Sequence, residues 1–181
     1  MRQLHPFIYE YNFPYHDFLL KNYDFFDKIY SENIEKIRKN GGANVTFRDE
    51  IVYPFLFPKL RKLIDENFYL TPTFQYLNIG IYKQTHVEST NVSHCHILTH
   101  SVSTVFYLNP PKEGEGGEII FHDLVYDDTI KLQPKPNKLY VFPGWLYHTP
   151  LPQTSIIPRF SFNWGYDSHT RPNHKITGDR W

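Results

Sequence analysis

Two histidines one residue apart, His94 and His96, a third far downstream, His148, and an arginine eleven residues beyond it, Arg159, are the side chains best suited to chemistry. Residues at i and i+2 of an extended segment point to the same side, so His94 and His96 can close on one cation while Cys95 turns away. His148, arriving from a distant strand, would complete a three-nitrogen set of the kind that holds a divalent transition metal. Arg159 lies in Pro158-Arg159-Phe160-Ser161-Phe162-Asn163, where alternation gives Arg159 and Ser161 one face and Phe160 and Phe162 the other. A guanidinium directed into an apolar interior calls for an anionic partner. If that partner is not protein, a carboxylated cosubstrate beside the metal fills the role.

Side chains so far apart in sequence need a rigid frame to meet. Residues 1–70 read as a helical support. Across 15–40 the positions Leu19, Tyr23, Phe26, Tyr30, Ile34 and Ile37 recur at three and four, with Gly41-Gly42 as a stop, and predict an amphipathic helix. A shorter helix is expected over 57–67, where Leu60, Leu63 and Ile64 form a stripe, and basic Lys59-Leu60-Arg61-Lys62 is its solvated face. From 71 to 166 the pattern changes to strands, expected at 74–82, 101–108, 118–121, 138–142 and 159–166. Loops are expected at Asn109-Pro110-Pro111, Gly114-Glu115-Gly116-Gly117 and 124–136. Strands with no helix between them imply antiparallel pairing in a sandwich or jelly roll, backed by helices on one side. The polar stretch 167–181 reads as an extension or an active-site cover.

The chain has 181 residues, of which 40% are hydrophobic and 18% aromatic, enough for one well-packed domain. Lys plus Arg and Asp plus Glu number 19 each, so no net field favours nucleic acid or an anionic membrane. The single cysteine, Cys95, excludes an internal disulfide and fits a reducing compartment. The N-terminal residues do not read as a signal peptide, and no apolar run reads as long enough to cross a membrane. A cytoplasmic location is therefore expected. Gly116-Gly117 is a turn into a strand, since no helix or Lys-Ser/Thr follows as a phosphate loop would require. His100, His122, His169 and His174 read as ordinary polar residues, and Trp145 as core or pocket wall.

The ordered blocks His94-Cys95-His96, Ser103 to Asn109, Gly116 to Phe121, Val141 to His148 and Arg159 to Ser161 resemble the 2-oxoglutarate and iron(II)-dependent dioxygenases. The likeness is greatest to the prolyl-hydroxylase-like branch and to small oxygenases that carry His-x-His, and it covers about 74–166. It implies a double-stranded β-helix, with Fe(II) held by His94, His96 and His148 and with 2-oxoglutarate and O₂ as cosubstrates. Arg159 would bind the distal carboxylate of 2-oxoglutarate, assisted by Ser161 and Tyr82. The products would be succinate, CO₂ and a hydroxylated substrate, peptidyl or small-molecule. The usual motif is His-x-Asp or His-x-Glu, so His94-x-His96 would leave three neutral ligands. His86-Val87-Glu88, eight residues upstream, carries the usual carboxylate and competes for the first two positions. Two other functions fit: a three-histidine cupin-like dioxygenase or isomerase without 2-oxoglutarate, and a non-catalytic jelly-roll module binding through Trp145 and Trp164.

Overall fold

A computed structural model describes residues 2–39, 45–47, 62, 72–74, 79–84, 93–97 and 101–168. Eleven strands and two helices are seen among them, in the order β1 (Arg2–His5), β2 (Ile8–Asn12), α1 (His16–Lys21), α2 (Tyr23–Lys39), β3 (Val45–Phe47), β4 (Pro72–Phe74), β5 (Ile79–Gln84), β6 (Val102–Leu108), β7 (Ile119–Asp123), β8 (Asp128–Leu132), β9 (Lys138–Pro143), β10 (Tyr147–Pro150) and β11 (Arg159–Ser168). The large sheet runs β1-β2-β9-β6-β11-β5-β3, with β4 also on β11; the small sheet runs β10-β7-β8. Every strand pairing is antiparallel, as expected.

The runs Val105-Phe106-Tyr107-Leu108 and Leu139-Tyr140-Val141-Phe142 are apolar without interruption because the large sheet is covered on both faces. Val105, Tyr107, Tyr140 and Phe142 turn toward the small sheet and meet Ile119 and Phe121 of β7. Phe106, Leu108, Leu139 and Val141 turn the other way, joining Phe160 and Phe162 against Leu19, Phe26, Tyr30 and Ile34 of the helices. Phe106 and Phe162, opposite each other in register, stack at 4.6 Å between ring centroids, and Phe26 meets Phe162 edge-on at 5.0 Å. The frame is thus a two-sheet jelly roll backed by helices, the double-stranded β-helix arrangement.

Several expected boundaries move. The region before residue 70 is not helical throughout: β1 and β2 extend the edge of the large sheet, with Tyr11 opposite Leu139. Their polar members obscured the alternation, although Glu10 is buried and its carboxylate lies 3.4 Å from Lys138 Nζ. The helix expected over 15–40 is two, broken at Asn22, whose side-chain amide donates to the Phe18 carbonyl at 2.7 Å and so competes with continued helix. Of the shorter helix expected over 57–67, only Lys62 is among the described residues, in helical backbone. The strand expected at 74–82 is represented by two, β4 and β5, which flank undescribed residues. The loop expected at 124–136 contains β8, which pairs with β7 through Ile130 opposite Phe121. Asp167 and Ser168, read as tail, continue β11 and pair with β4; the rest of the tail lies outside the described residues.

Candidate metal centre

β10 is a short strand hydrogen-bonded to β7, with His148 opposite Phe121. His148 is buried, its ring packed 5.0 Å from Phe142 and 6.0 Å from Phe121 between the sheets. Its Nδ1 lies 3.1 Å from the Leu146 carbonyl, which can only accept, so the ring proton sits on Nδ1 and Nε2 is the nitrogen that could ligate a cation. The segment carrying the other two histidines runs alongside. The His94 N–H donates to the His148 carbonyl at 3.1 Å, the His148 N–H donates back to His94 at 2.9 Å, and the His96 N–H donates to Gly144 at 2.6 Å.

This pairing brings the three rings together. Centroids lie 4.3 Å apart for His94 and His148, 5.1 Å for His94 and His96, and 5.2 Å for His96 and His148. One nitrogen of each lies within 4.8 Å of the others, so the three could hold one ion. Burial, and then the neighbouring His94, lower the pKa of His96 to about 4, so the ring is neutral and its lone pair available at neutral pH. Cys95 between them meets the Tyr147 hydroxyl, a hydrogen bond that raises the phenol's pKa. Three neutral imidazoles suit a divalent first-row cation, although they leave it more charge than a carboxylate-containing set would. His86 and Glu88 of the competing triplet lie outside the described residues.

Arg159 opens β11 and is only 1% exposed. Its guanidinium lies 5.0 Å from the centre of the Tyr107 ring, on the face turned toward the small sheet. Nη1 donates to the Gly117 carbonyl, and Nη2 donates to the Leu151 carbonyl at 3.2 Å. Ser161, two residues on, is also buried and accepts from Asn163 Nδ2 at 3.3 Å. Phe160 and Phe162 take the helix side, so the alternation read from the sequence holds. Tyr82 stands opposite Ser161 in the β5 register; its side chain lies outside the described residues. Glu118 has its carboxylate pKa lowered first by a hydrogen bond from Lys131, whose Nζ is 2.8 Å away, with Arg159 contributing last.

Two members of this inner wall were not singled out in the sequence. Tyr107 lies opposite Ser161 on β6, and burial raises its phenol's pKa against the opposing effect of Arg159, which keeps the hydroxyl a neutral donor. Its position two residues from Val105 in a doubly buried strand was the available signal. Gly117 was read only as a turn. It has φ +76, and an added Cβ would lie 2.6 Å from Pro111 Cγ and 2.8 Å from Arg159 Nη1. His122 and Trp145 behave as ordinary residues: His122 Nε2 is 3.3 Å from the Thr149 hydroxyl, and Trp145 packs edge-on against Phe7 at 5.0 Å.

A two-sheet jelly roll with a histidine cluster and a buried arginine on its inner walls defines a metal-dependent oxygenase scaffold. Residues 74–165, half of the chain, match the 2OG-Fe(II) oxygenase superfamily, and the chain belongs to that superfamily. Its cofactor set is accordingly Fe(II) and 2-oxoglutarate. No curated protein matches the sequence. Among solved structures, a prolyl 4-hydroxylase from Phytophthora capsici is similar with a TM-score of 0.57 at 17% identity, over 77% of this chain and 54% of that one. This chain therefore spans about half the length of that relative. A viral collagen prolyl hydroxylase from Paramecium Bursaria Chlorella virus-1 is similar with a TM-score of 0.59 at 14% identity, over 92% and 97% of the two chains. A Trichoplax adhaerens prolyl hydroxylase, solved with a hypoxia inducible factor peptide fragment, gives a TM-score of 0.50 at 14% identity over 77% and 78%. At these identities the likeness is one of fold.

Proposed function

We propose that this chain is a non-haem Fe(II) dioxygenase that couples oxidative decarboxylation of 2-oxoglutarate to hydroxylation of an organic substrate, with a peptidyl side chain as the favoured target. The observation that carries this reading is the convergence of His94, His96 and His148 within 4.8 Å on the inner wall that also bears Arg159. When bound there, Fe(II) would supply the redox chemistry that lets dioxygen react with a 2-oxo acid and a C–H bond. The chain's own contributions are placement and shielding. The Nδ1–H to Leu146 hydrogen bond fixes the tautomer and orientation of His148. Arg159 would pair with the distal carboxylate of 2-oxoglutarate, with the Ser161 and Tyr107 hydroxyls as further donors. Phe121, Phe142 and Ile119, buried in the same inner cluster, would keep water from the reacting groups.

A peptidyl substrate is favoured by the structural neighbours, several of which are prolyl hydroxylases and one of which was solved with a peptide. The all-nitrogen donor set is the observation behind a second reading, in which a three-histidine enzyme binds its substrate directly to metal and Arg159 recognises a substrate carboxylate. One experiment separates them. Fe(II)-loaded protein incubated with 2-oxoglutarate and O₂ is expected to release succinate, with basal turnover even before the substrate is found. His148→Ala should lose both the stoichiometric metal and the succinate. Bound metal without succinate from the wild type, in the presence of candidate proline peptides, would favour the second reading; no bound metal would leave a jelly-roll binding module.

A further inference from the structure

The two carbonyls that hold Arg159 come from different loops, and those loops are zipped together. The Leu151 N–H donates to Glu118 at 2.7 Å, the Gly117 N–H to Pro152 at 2.8 Å and the Thr154 N–H to Glu115 at 2.8 Å, while Gly116 and Gln153 form an isolated antiparallel bridge. Gln153 lies at the centre of this arrangement and is only 2% exposed. Its Nε2 donates to the Ile157 carbonyl at 2.8 Å and to Ser155 at 3.2 Å, folding residues 153–157 into a closed strap that leads directly into Arg159. On the other side Gln133 Nε2 donates to the carbonyls of Pro111 and Gly116, at 3.1 and 3.3 Å, and ties down the loop that ends in Gly117. The guanidinium fork is therefore aimed by a frame and not by its own strand alone.

We infer that Gln153 is a positioning residue for the cosubstrate site: it holds the strap and its bridge to Gly116 so that the Leu151 and Gly117 carbonyls fix both terminal nitrogens of Arg159. The inference rests on the proposed pairing of Arg159 with the distal carboxylate of 2-oxoglutarate. A guanidinium recognises a carboxylate by two parallel hydrogen bonds, and that geometry tolerates little rotation. Loosening the strap leaves the charge in place and spoils the aim. The predicted signature is lost discrimination for the far end of the ligand, with the metal end unaffected.

The test compares 2-oxoglutarate with 2-oxopentanoate, which keeps the 2-oxo acid head but ends in a methyl group, by calorimetric titration of Mn(II)-loaded full-length protein. Wild type is expected to prefer 2-oxoglutarate strongly. In Gln153→Leu the preference should fall roughly tenfold, the size of one compromised charged hydrogen bond. Affinities for 2-oxopentanoate and Mn(II) should stay at wild-type values. Gln133→Leu, which loosens the opposite loop, should act the same way and serves as the readout if Gln153→Leu does not fold. An unchanged preference in the folded variant, or equal weakening of both ligands, would overturn the positioning role while Arg159→Ala still abolishes the preference. A wild type that shows no preference would instead remove the Arg159 reading itself.

Discussion

The candidate metal site turns on which side chains supply nitrogen and which supply charge. The backbone bridge between His94 and His148 and the bond from the His96 N–H to Gly144 bring the three rings together. His96→Ala is therefore expected to lose stoichiometric Fe(II), whereas Glu88→Ala retains it; the reverse pattern in a metal assay would identify His86 and Glu88 as ligands. For Arg159, truncation to Ala should weaken 2-oxoglutarate by at least about 2 kcal/mol, roughly thirtyfold, the lower end for cutting one member of a buried charge pair. Iron binding should survive. Lys should recover part of the loss, because a point charge supplies no fork. Equal 2-oxoglutarate affinity in wild type and Arg159→Ala would exclude the pairing. The clustering of the three histidines and the inward placement of Arg159 were legible from spacing: i, i+2 for His94 and His96, and alternation along 159–162. Tyr107 and Gly117 were not, since their roles come from what the fold sets beside them, an arginine from another strand.

At the level of elements, β11 divides the labour of the large sheet, giving Arg159 and Ser161 to the inner wall and Phe160 and Phe162 to the helix side. The long apolar runs of β6 and β9 announced strands plainly. The edge strands β1 and β8 escaped because they carry polar residues whose alternation is short and imperfect, as the Asp128-Thr129-Ile130-Lys131-Leu132 run shows, and β2, paired on both sides, escaped because the buried Glu10 interrupts its apolar run. The continuous helix expected over 15–40 failed at one residue, Asn22, because periodicity does not register a side chain that bonds back to the preceding turn. The turn before β7 offers a sharp test. Gly117→Ala meets a left-handed φ, the Pro111 ring and the Arg159 guanidinium at once, so it should cost more than 1 kcal/mol in urea unfolding and also weaken 2-oxoglutarate. Gly114, with φ +87 and nothing within 4 Å of an added Cβ, is the control: Ala there should cost stability alone.

Across the whole molecule, the order of strands in space departs from their order along the chain. β11 lies between β6 and β5 and also receives β4, so the middle of the large sheet is occupied by the most C-terminal of the described strands. A nascent chain that has emerged only as far as Pro158 holds β6 beside β9 but has nothing to join β6 to β5, and the aromatic face awaiting the helices lacks Phe160 and Phe162. Assembly of the sheet must wait for translation to pass Ser168. Such late, non-local closure makes for slow folding and for transient exposure of strand edges. Ribosome-stalled chains that have emerged only to about residue 158 are thus expected to stay protease-sensitive, and chains that have emerged past 168 to become resistant in a single step. Resistance gained gradually as β6, β7 and β9 emerge would contradict that sequence of events. The strand that aims the arginine is also the keystone of synthesis, so a ribosome that falters late yields no partial enzyme, only a chain for the quality-control machinery.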